Sequence, residues 1–134
     1  MVPVVICTHG ALAEALVSTG RDVFGELPGV TAFCMSPDKP LLALEAELRS
    51  TLSAIAGPEG ALIMTDVFGG TPFNVCQRLS QEFRVEVLTG VNLPMLLKAL
   101  EVRAAEGDAA ELSHLASMAF EAGARNIRRL PHAA

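Results

Sequence analysis

Apolar residues occur along the chain in four short runs, separated by longer segments in which they recur every three or four positions. The runs cover residues 2–7, 30–35, 61–65 and 85–89, and β-branched side chains are frequent in them. Short continuous apolar runs are typical of strands that are buried on both faces of a sheet. The pattern therefore predicts four strands, with Pro3 tolerated because it lies at the start of the first.

The longer segments have the period of amphipathic helices. We predict helices over residues 11–24, 41–55, 94–103 and 111–122, and one more that starts at Pro72 with Thr71 as its cap. Gly25 and Gly123 are the predicted ends of the first and last helices. The predicted inward faces are Leu12, Leu16, Gly20 and Val23 in the first helix, and Phe73, Cys76, Leu79 and Phe83 in the third.

Strands that alternate with amphipathic helices predict an α/β fold. We expect a doubly wound, mainly parallel four-stranded sheet in the order 2-1-3-4, an order taken from flavodoxin-like folds, with helices on both faces. Residues 125–130 are a candidate for a short antiparallel edge strand. No repeat or linker interrupts the sequence, so residues 1–134 are predicted to form a single domain.

Composition and charge argue against several classes of protein. The net charge of −5 argues against a nucleic-acid-binding protein and gives no attraction to an anionic membrane surface. No apolar stretch approaches the length of a membrane span, and the N-terminus lacks the basic region of a signal peptide. The three cysteines have no metal-type spacing and indicate reduced thiols. We expect a cytoplasmic protein with no metal, no cofactor and no membrane insertion.

Chemically reactive or glycine-rich segments follow three of the predicted strands. They are residues 8–10 (THG), 65–74 (TDVFGGTPFN) and 89–95 (TGVNLPM). Ligands of open parallel sheets bind at the carboxyl ends of the strands, where the strand order reverses. In the order 2-1-3-4 the first and third strands are neighbours, so His9 is predicted to lie beside Asp66.

A histidine paired with a carboxylate suits phosphoryl transfer. The carboxylate holds the proton of one ring nitrogen, leaves the lone pair of the other free to attack, and stabilises the cationic ring that forms. Gly69 and Gly70 allow the backbone to approach a ligand, and Thr71 with the amides at the following helix start can donate to a phosphoryl oxygen. Thr8 is a further candidate for contact with the phosphoryl group.

On these motifs the chain resembles the enzyme IIA (EIIA) component of the mannose family of the bacterial phosphoenolpyruvate-dependent sugar phosphotransferase system (PTS). Residues 8–10, 65–74 and 89–95 carry the resemblance, which extends in order and spacing over nearly the whole chain. The resemblance implies that the phosphocarrier protein HPr phosphorylates His9 and that Asp66 hydrogen-bonds the histidine and orients it.

The resemblance also implies partners. The phosphoryl group would pass to a IIB component and then to a sugar that enters through a membrane permease, with which this chain would associate only indirectly. Thr71 matches a Ser or Thr position beside the phosphoryl group. Members commonly form homodimers by exchanging a C-terminal strand, which would give residues 125–130 a purpose.

Two roles remain open on this resemblance. Several members carry a IIB domain after this one in the same chain, whereas the present sequence has 134 residues. In one role a separate IIB protein receives the phosphoryl group. In the other, the chain is a stand-alone regulatory domain, and the phosphorylation state of His9 controls its binding to another protein.

Other classes of protein fit the sequence less well. A receiver domain with Asp66 as phosphoacceptor would need an acidic cluster after the first strand, where this chain has Thr8, His9 and Gly10. A serine hydrolase would need a nucleophile elbow, and no GxSxG sequence is present. One histidine and one aspartate do not make a closed set of metal ligands. A phosphotransferase that carries a phosphohistidine is the predicted function.

Overall fold

The computed structural model describes residues 1–133. At its centre is a four-stranded parallel sheet in the order β2-β1-β3-β4, which confirms the predicted order. The strands are β1 (Val4–His9), β2 (Val30–Met35), β3 (Ala61–Thr65) and β4 (Val85–Leu88).

Helices cover both faces of the sheet, as predicted for a doubly wound fold. They are α1 (Leu12–Phe24), α2 (Leu41–Ile55), α3 (Thr71–Leu79), α4 (Leu93–Glu106) and α5 (Leu112–Arg125). The helices α1, α4 and α5 pack on one face, and α2 and α3 pack on the other. No helix among the described residues is both long and apolar enough to span a bilayer.

Alternate residues of the central strands point to opposite faces. Val4 and Ile6 of β1 pack towards α1, α4 and α5, whereas Val5 and Cys7 pack towards α2 and α3. All four side chains are fully buried. A strand with helices on both sides needs apolar residues at every position, which explains the continuous apolar run at the N-terminus.

The first strand begins and ends two residues later than predicted. Thr8 pairs with Cys34 and His9 pairs with Met35, so β2 extends the ladder to the histidine. His9 is therefore the last residue of a strand and not part of the loop that follows it. The bounds of β2, α2 and β3 match the prediction, and β4 ends one residue early at Leu88.

The predicted inward face of α1 is wrong in part. Ala13, Val17 and Gly20 are its buried residues, whereas Leu12 and Val23 are exposed. The helix carries more apolar side chains than its buried stripe can accommodate. The side that approaches the sheet and its neighbouring helices is the one with the small residues, because small side chains allow close packing.

The start of α3 differs from the prediction by one residue. Thr71 is the first helical residue and Gly70 is the cap, with no side-chain hydrogen bond at that position. Phe73 is half-buried and its ring lies 5.0 Å from that of Phe68, so it does not belong to the core face. The buried residues of this helix are Pro72, Val75, Cys76 and Leu79, and Phe83 packs on the same core from beyond the helix end.

The last helix continues past its predicted end. Helix α5 includes Gly123, where a Cβ would lie 3.1 Å from the Cβ of Met95 in α4. This glycine serves the close contact of two helices and does not end the helix. Of residues 126–133, none forms a strand, so the edge strand predicted over 125–130 does not form within this single chain.

Candidate functional site

The carboxyl ends of β1 and β3 bring His9 and Asp66 together. Nδ1 of His9 lies 2.9 Å from Oδ2 of Asp66, and the backbone N–H of His9 donates to the same oxygen at 3.1 Å. The other carboxylate oxygen accepts the N–H of Val67 at 2.9 Å. The side chain of Asp66 is 13% exposed and that of His9 is 52% exposed. A largely buried carboxylate thus anchors an imidazole that is open to solvent.

These hydrogen bonds determine the ionisation of Asp66. Burial acts to raise its pKa, but hydrogen bonds from the side chain and amide of His9 and from the amide of Val67 together hold the pKa of the carboxyl below its ordinary value of 3.8. An ionised carboxylate can only accept hydrogen bonds, so Nδ1 is the protonated ring nitrogen of His9. The free lone pair is then on Nε2.

The turn between β3 and α3 fits closely against the imidazole. Gly69 has a φ of +80°, and the N–H of Gly70 donates to the carbonyl of Val67 at 3.0 Å. Gly70 has an ordinary φ of −74°, but a Cβ at this position would lie 2.9 Å from Cε1 of His9. A side chain is excluded here because the imidazole occupies its space. The contacts of Gly69 and Gly70 with a phosphoryl group stay predictions.

The N-terminal end of α3 lies beside the histidine. Thr71 is its first residue and lines the same cleft as His9. The N–H groups in the first turn of a helix have no acceptor within the helix, and the positive end of the helix dipole favours anions. This end of α3 therefore has the donors that a phosphoryl oxygen needs.

Thr8 supports the backbone around the histidine. It is fully buried, and its hydroxyl oxygen accepts the N–H of Ala13 at 2.8 Å. The hydroxyl donates to the carbonyl of His9 at 3.2 Å. Thr8 thus ties the end of β1 to the first turn of α1. Its contact with a phosphoryl group stays a prediction.

The segment after β4 braces the loop that carries Asp66. The N–H of Gly90 donates to the carbonyl of Asp66, and the N–H of Val91 donates to the carbonyl of Thr65, both at 2.9 Å. Asn92 caps α4 through its side chain. The third motif of the sequence therefore acts on the site through the backbone of Gly90 and Val91, whereas Asn92 shapes the start of α4.

A cleft of about 540 Å³ opens beside the histidine. One wall is the loop after β2, which sequence reasoning missed. The predicted strand order contained the necessary information, because β2 is the other neighbour of β1 and its following loop must lie at the same edge. The residues that line the cleft are His9, Gly10, Met35, Ser36, Pro37, Lys39, Leu41, Leu44 and Thr71.

The sequence is similar to PTS components over most of its length. A family model described as "PTS system fructose IIA component" matches residues 3–122. The chain is 31% identical over 130 residues to the PTS system mannose-specific EIIAB component of Escherichia coli. The aligned region is 96% of this chain and 39% of that protein, so the chain spans about two fifths of the length of this relative. The chain is also 31% identical over 104 residues to the PTS system fructose-specific EIIA component of Bacillus subtilis, covering 77% and 71% of the two chains.

Solved structures share the fold. The phosphotransferase system component EIIA from Streptococcus agalactiae has a TM-score of 0.85 at 24% identity and covers 96% of this chain and 97% of its own. The mannose/sorbose specific IIA subunit from Enterococcus faecalis has a TM-score of 0.84 at 24% identity, and the match covers 100% of this chain and 98% of that subunit. The family match and the relatives at 31% identity show that this chain belongs to the mannose-type EIIA family of the sugar phosphotransferase system.

Proposed function

We propose that the chain is a phosphohistidine carrier, which accepts a phosphoryl group from phospho-HPr on Nε2 of His9 and passes it to a IIB component for sugar uptake. The observation that carries the proposal is the 2.9 Å hydrogen bond between Nδ1 of His9 and Asp66, in a ring that is half exposed. Membership of the EIIA family supports a role in the phosphotransferase system. The role is a cytoplasmic one.

In the proposed transfer, Nε2 of His9 attacks the phosphorus of the donor's phosphohistidine. A new N–P bond forms as the bond between the donor nitrogen and phosphorus breaks, and the electron pair of the broken bond returns to the donor ring. The ring of His9 becomes cationic and keeps its Nδ1–H on Asp66, which stabilises the charge. Thr71 and the amides at the start of α3 supply donors to the phosphoryl oxygens. Transfer to IIB repeats these steps with His9 as the donor.

Exposed apolar side chains near the site support protein partners of this kind. Leu12, Val67 and Phe68 are 43%, 54% and 76% exposed, and each lies within three residues of His9 or Asp66 along the chain. Exposed apolar patches beside a reactive group mark surfaces for protein contact. Such a surface suits HPr and IIB, which would have to occupy it in turn.

Intact-protein mass spectrometry tests the carrier function. After incubation with phosphoenolpyruvate, enzyme I and HPr, we expect one acid-labile phosphoryl adduct on the wild type and none on His9→Ala. His114→Ala is the matched control, because His114 is also exposed and paired with a carboxylate, Glu106, at 3.2 Å. An adduct on His9→Ala would refute the site, and an unmodified wild type would refute the function.

We also propose a homodimer in which the C-terminal segment of one copy pairs with β4 of the other. Strand β4 is at the end of the sheet order, so one of its edges has no strand neighbour among residues 1–133. Ile127 and Leu130, after α5, are 77% and 95% exposed. An unpaired edge offers main-chain donors and acceptors to an added strand.

Sedimentation equilibrium tests the proposed homodimer. It should give a dimer for the wild type and a monomer for the double variant Ile127→Asp and Leu130→Asp. A monomeric wild type would contradict the proposal.

A further inference from the structure

Lys39 lies in a wall of the cleft beside His9. Its Nζ is 2.7 Å from Oε1 of Glu47 in α2, and the two side chains are 51% and 46% exposed. Among the described residues that line the cleft, Lys39 is the only one with a permanent positive charge. The sequence contains one other lysine, Lys98, which pairs with Glu101.

The floor of the cleft is apolar. Met35 and Leu44 are 3% and 4% exposed, and Pro37 and Leu41 extend the apolar lining. Charges that face each other across a cleft with walls of low dielectric interact more strongly than charges in open water. A phosphoryl group on His9 would bring up to about two negative charges to this cleft, together with three strong acceptor oxygens. A cation in this cleft would therefore stabilise the phosphorylated form of His9.

Resting on the proposed carrier function, we propose that Lys39 binds the phosphoryl group on His9, and that its ammonium leaves Glu47 to do so. The pair with Glu47 is solvent-exposed and hence weak, and the lysine stem is flexible. A hydrogen bond between ammonium and phosphoryl oxygen is charge-assisted on both sides. Glu47 keeps the ammonium near the cleft while His9 is unmodified. Asp38, the acidic neighbour of Lys39 in the chain, does not line the cleft.

Phosphorus NMR of the phosphorylated chain as a function of pH tests this assignment. A cation beside the phosphoryl group favours its dianionic form and lowers the midpoint of its titration. We expect Lys39→Met to move the midpoint up by about half a pH unit or more. Lys98→Met is the matched control and should leave the midpoint unchanged. Glu47→Gln should leave it unchanged or lower it, because the ammonium loses its competing carboxylate.

The result separates the assignment of Lys39 from the function on which it rests. His9 is loaded once by HPr and once by phosphoramidate, a small chemical donor. An unchanged midpoint in Lys39→Met, or an equal rise in Lys98→Met, overturns the role of Lys39 and leaves the carrier function intact. If HPr fails to load His9 and phosphoramidate succeeds, the carrier function falls while the midpoints still decide the role of Lys39. If neither donor loads His9, both proposals are overturned.

Discussion

Asp66 determines which ring nitrogen of His9 is the nucleophile. Its carboxylate accepts from Nδ1 and leaves Nε2 with the lone pair. In Asp66→Asn the amide oxygen would take the place of Oδ2, because the backbone N–H of His9 needs an acceptor there as well. The geometry is then kept, but a neutral amide stabilises the cationic ring less than a carboxylate does. We therefore expect phosphorylation by HPr to slow by about a hundredfold or more, measured by rapid-quench mass spectrometry. An unchanged rate would mean that Asp66 has only a structural role.

Asp66 also links the ionisation of the site to the stability of the fold. Its pKa in the folded chain lies below the ordinary value of 3.8, so the ionised carboxylate stabilises the folded state. This contribution is complete above about pH 3.8 and is lost as the pH falls through the lower pKa of the folded state. Wild type should exceed Asp66→Asn in free energy of unfolding at neutral pH, and the difference should shrink in strong acid. Urea denaturation at several pH values measures it; a difference that is independent of pH would contradict the linkage.

Gly70 is required by space and not by backbone conformation. In Gly70→Ala the new Cβ would lie 2.9 Å from the His9 ring, while its φ of −74° suits alanine. We expect a nearly unchanged melting temperature and a phosphorylation rate lower by about ten- to a hundredfold, because the imidazole must move.

Gly69→Ala is the contrasting variant for Gly70→Ala. Gly69 has a φ of +80°, and no heavy atom lies within 4 Å of the position that an added Cβ would occupy. An alanine there should cost about 1–2 kcal/mol of stability through backbone strain while the ring of His9 keeps its place. If the two variants lost stability and rate in the same proportion, the steric explanation for Gly70 would be wrong.

Among single residues, the pairing of His9 with Asp66 was predicted from the ends of the strands together with a strand order taken from flavodoxin-like folds. That pairing needs only the strand ends and the order of the strands, and both were available as predictions. The steric role of Gly70 and the place of Lys39 in the cleft needed the positions of a ring, a turn and a loop relative to one another. Such distances of a few ångströms depend on tertiary packing, which no local pattern encodes.

At the scale of elements, Asn92 connects the start of α4 with α5. Its Oδ1 accepts the N–H of Met95, and its Nδ2 donates to the carbonyl of Gly123, both at 3.0 Å. Asn92→Ala removes a helix cap and an interhelical hydrogen bond, so we expect a loss of about 1–3 kcal/mol in the free energy of unfolding. Gln77→Ala, at an exposed position of α3, should change it by less than about 0.5 kcal/mol. Equal losses in urea denaturation would argue against the connecting role.

The elements that were predicted with correct bounds are those with abrupt changes of pattern at both ends. Helix α2 lies between Pro40 and the pair Gly57 and Pro58, and its leucines repeat without interruption. Helix α5 contains Gly123 within its apolar pattern. A glycine in a sequence is compatible both with the end of a helix and with a close contact between two helices. The neighbour that decides the matter is Met95 of α4, which is distant in sequence.

At the scale of the whole molecule, the two ends of the sheet have different tasks. The carboxyl end of the strands carries His9, Asp66 and the cleft. At the opposite end the buried side chain of Arg103 donates to the carbonyls of Val2 and Pro28, at 3.0 and 2.7 Å. Those two residues precede β1 and β2, so one guanidinium joins α4 to the beginnings of two strands. The sequence did not single out Arg103, because an arginine in an amphipathic helix is ordinarily a surface residue.

This division of tasks predicts that stability and phosphoryl transfer can be changed separately. Arg103→Met keeps an apolar stem but leaves two carbonyls without their donor, so we expect a loss of about 2–4 kcal/mol in the free energy of unfolding. Arg84→Met is the control, since Arg84 donates to the carbonyl of Pro58 at 3.2 Å from an exposed position, and its loss should be small. Urea denaturation and the rate of phosphorylation by HPr, measured where both variants are folded, decide the matter. We expect equal rates in wild type and Arg103→Met, whereas a slower Arg103→Met would mean that the packing of α4 influences the position of His9 across the sheet and that stability and transfer are not separable.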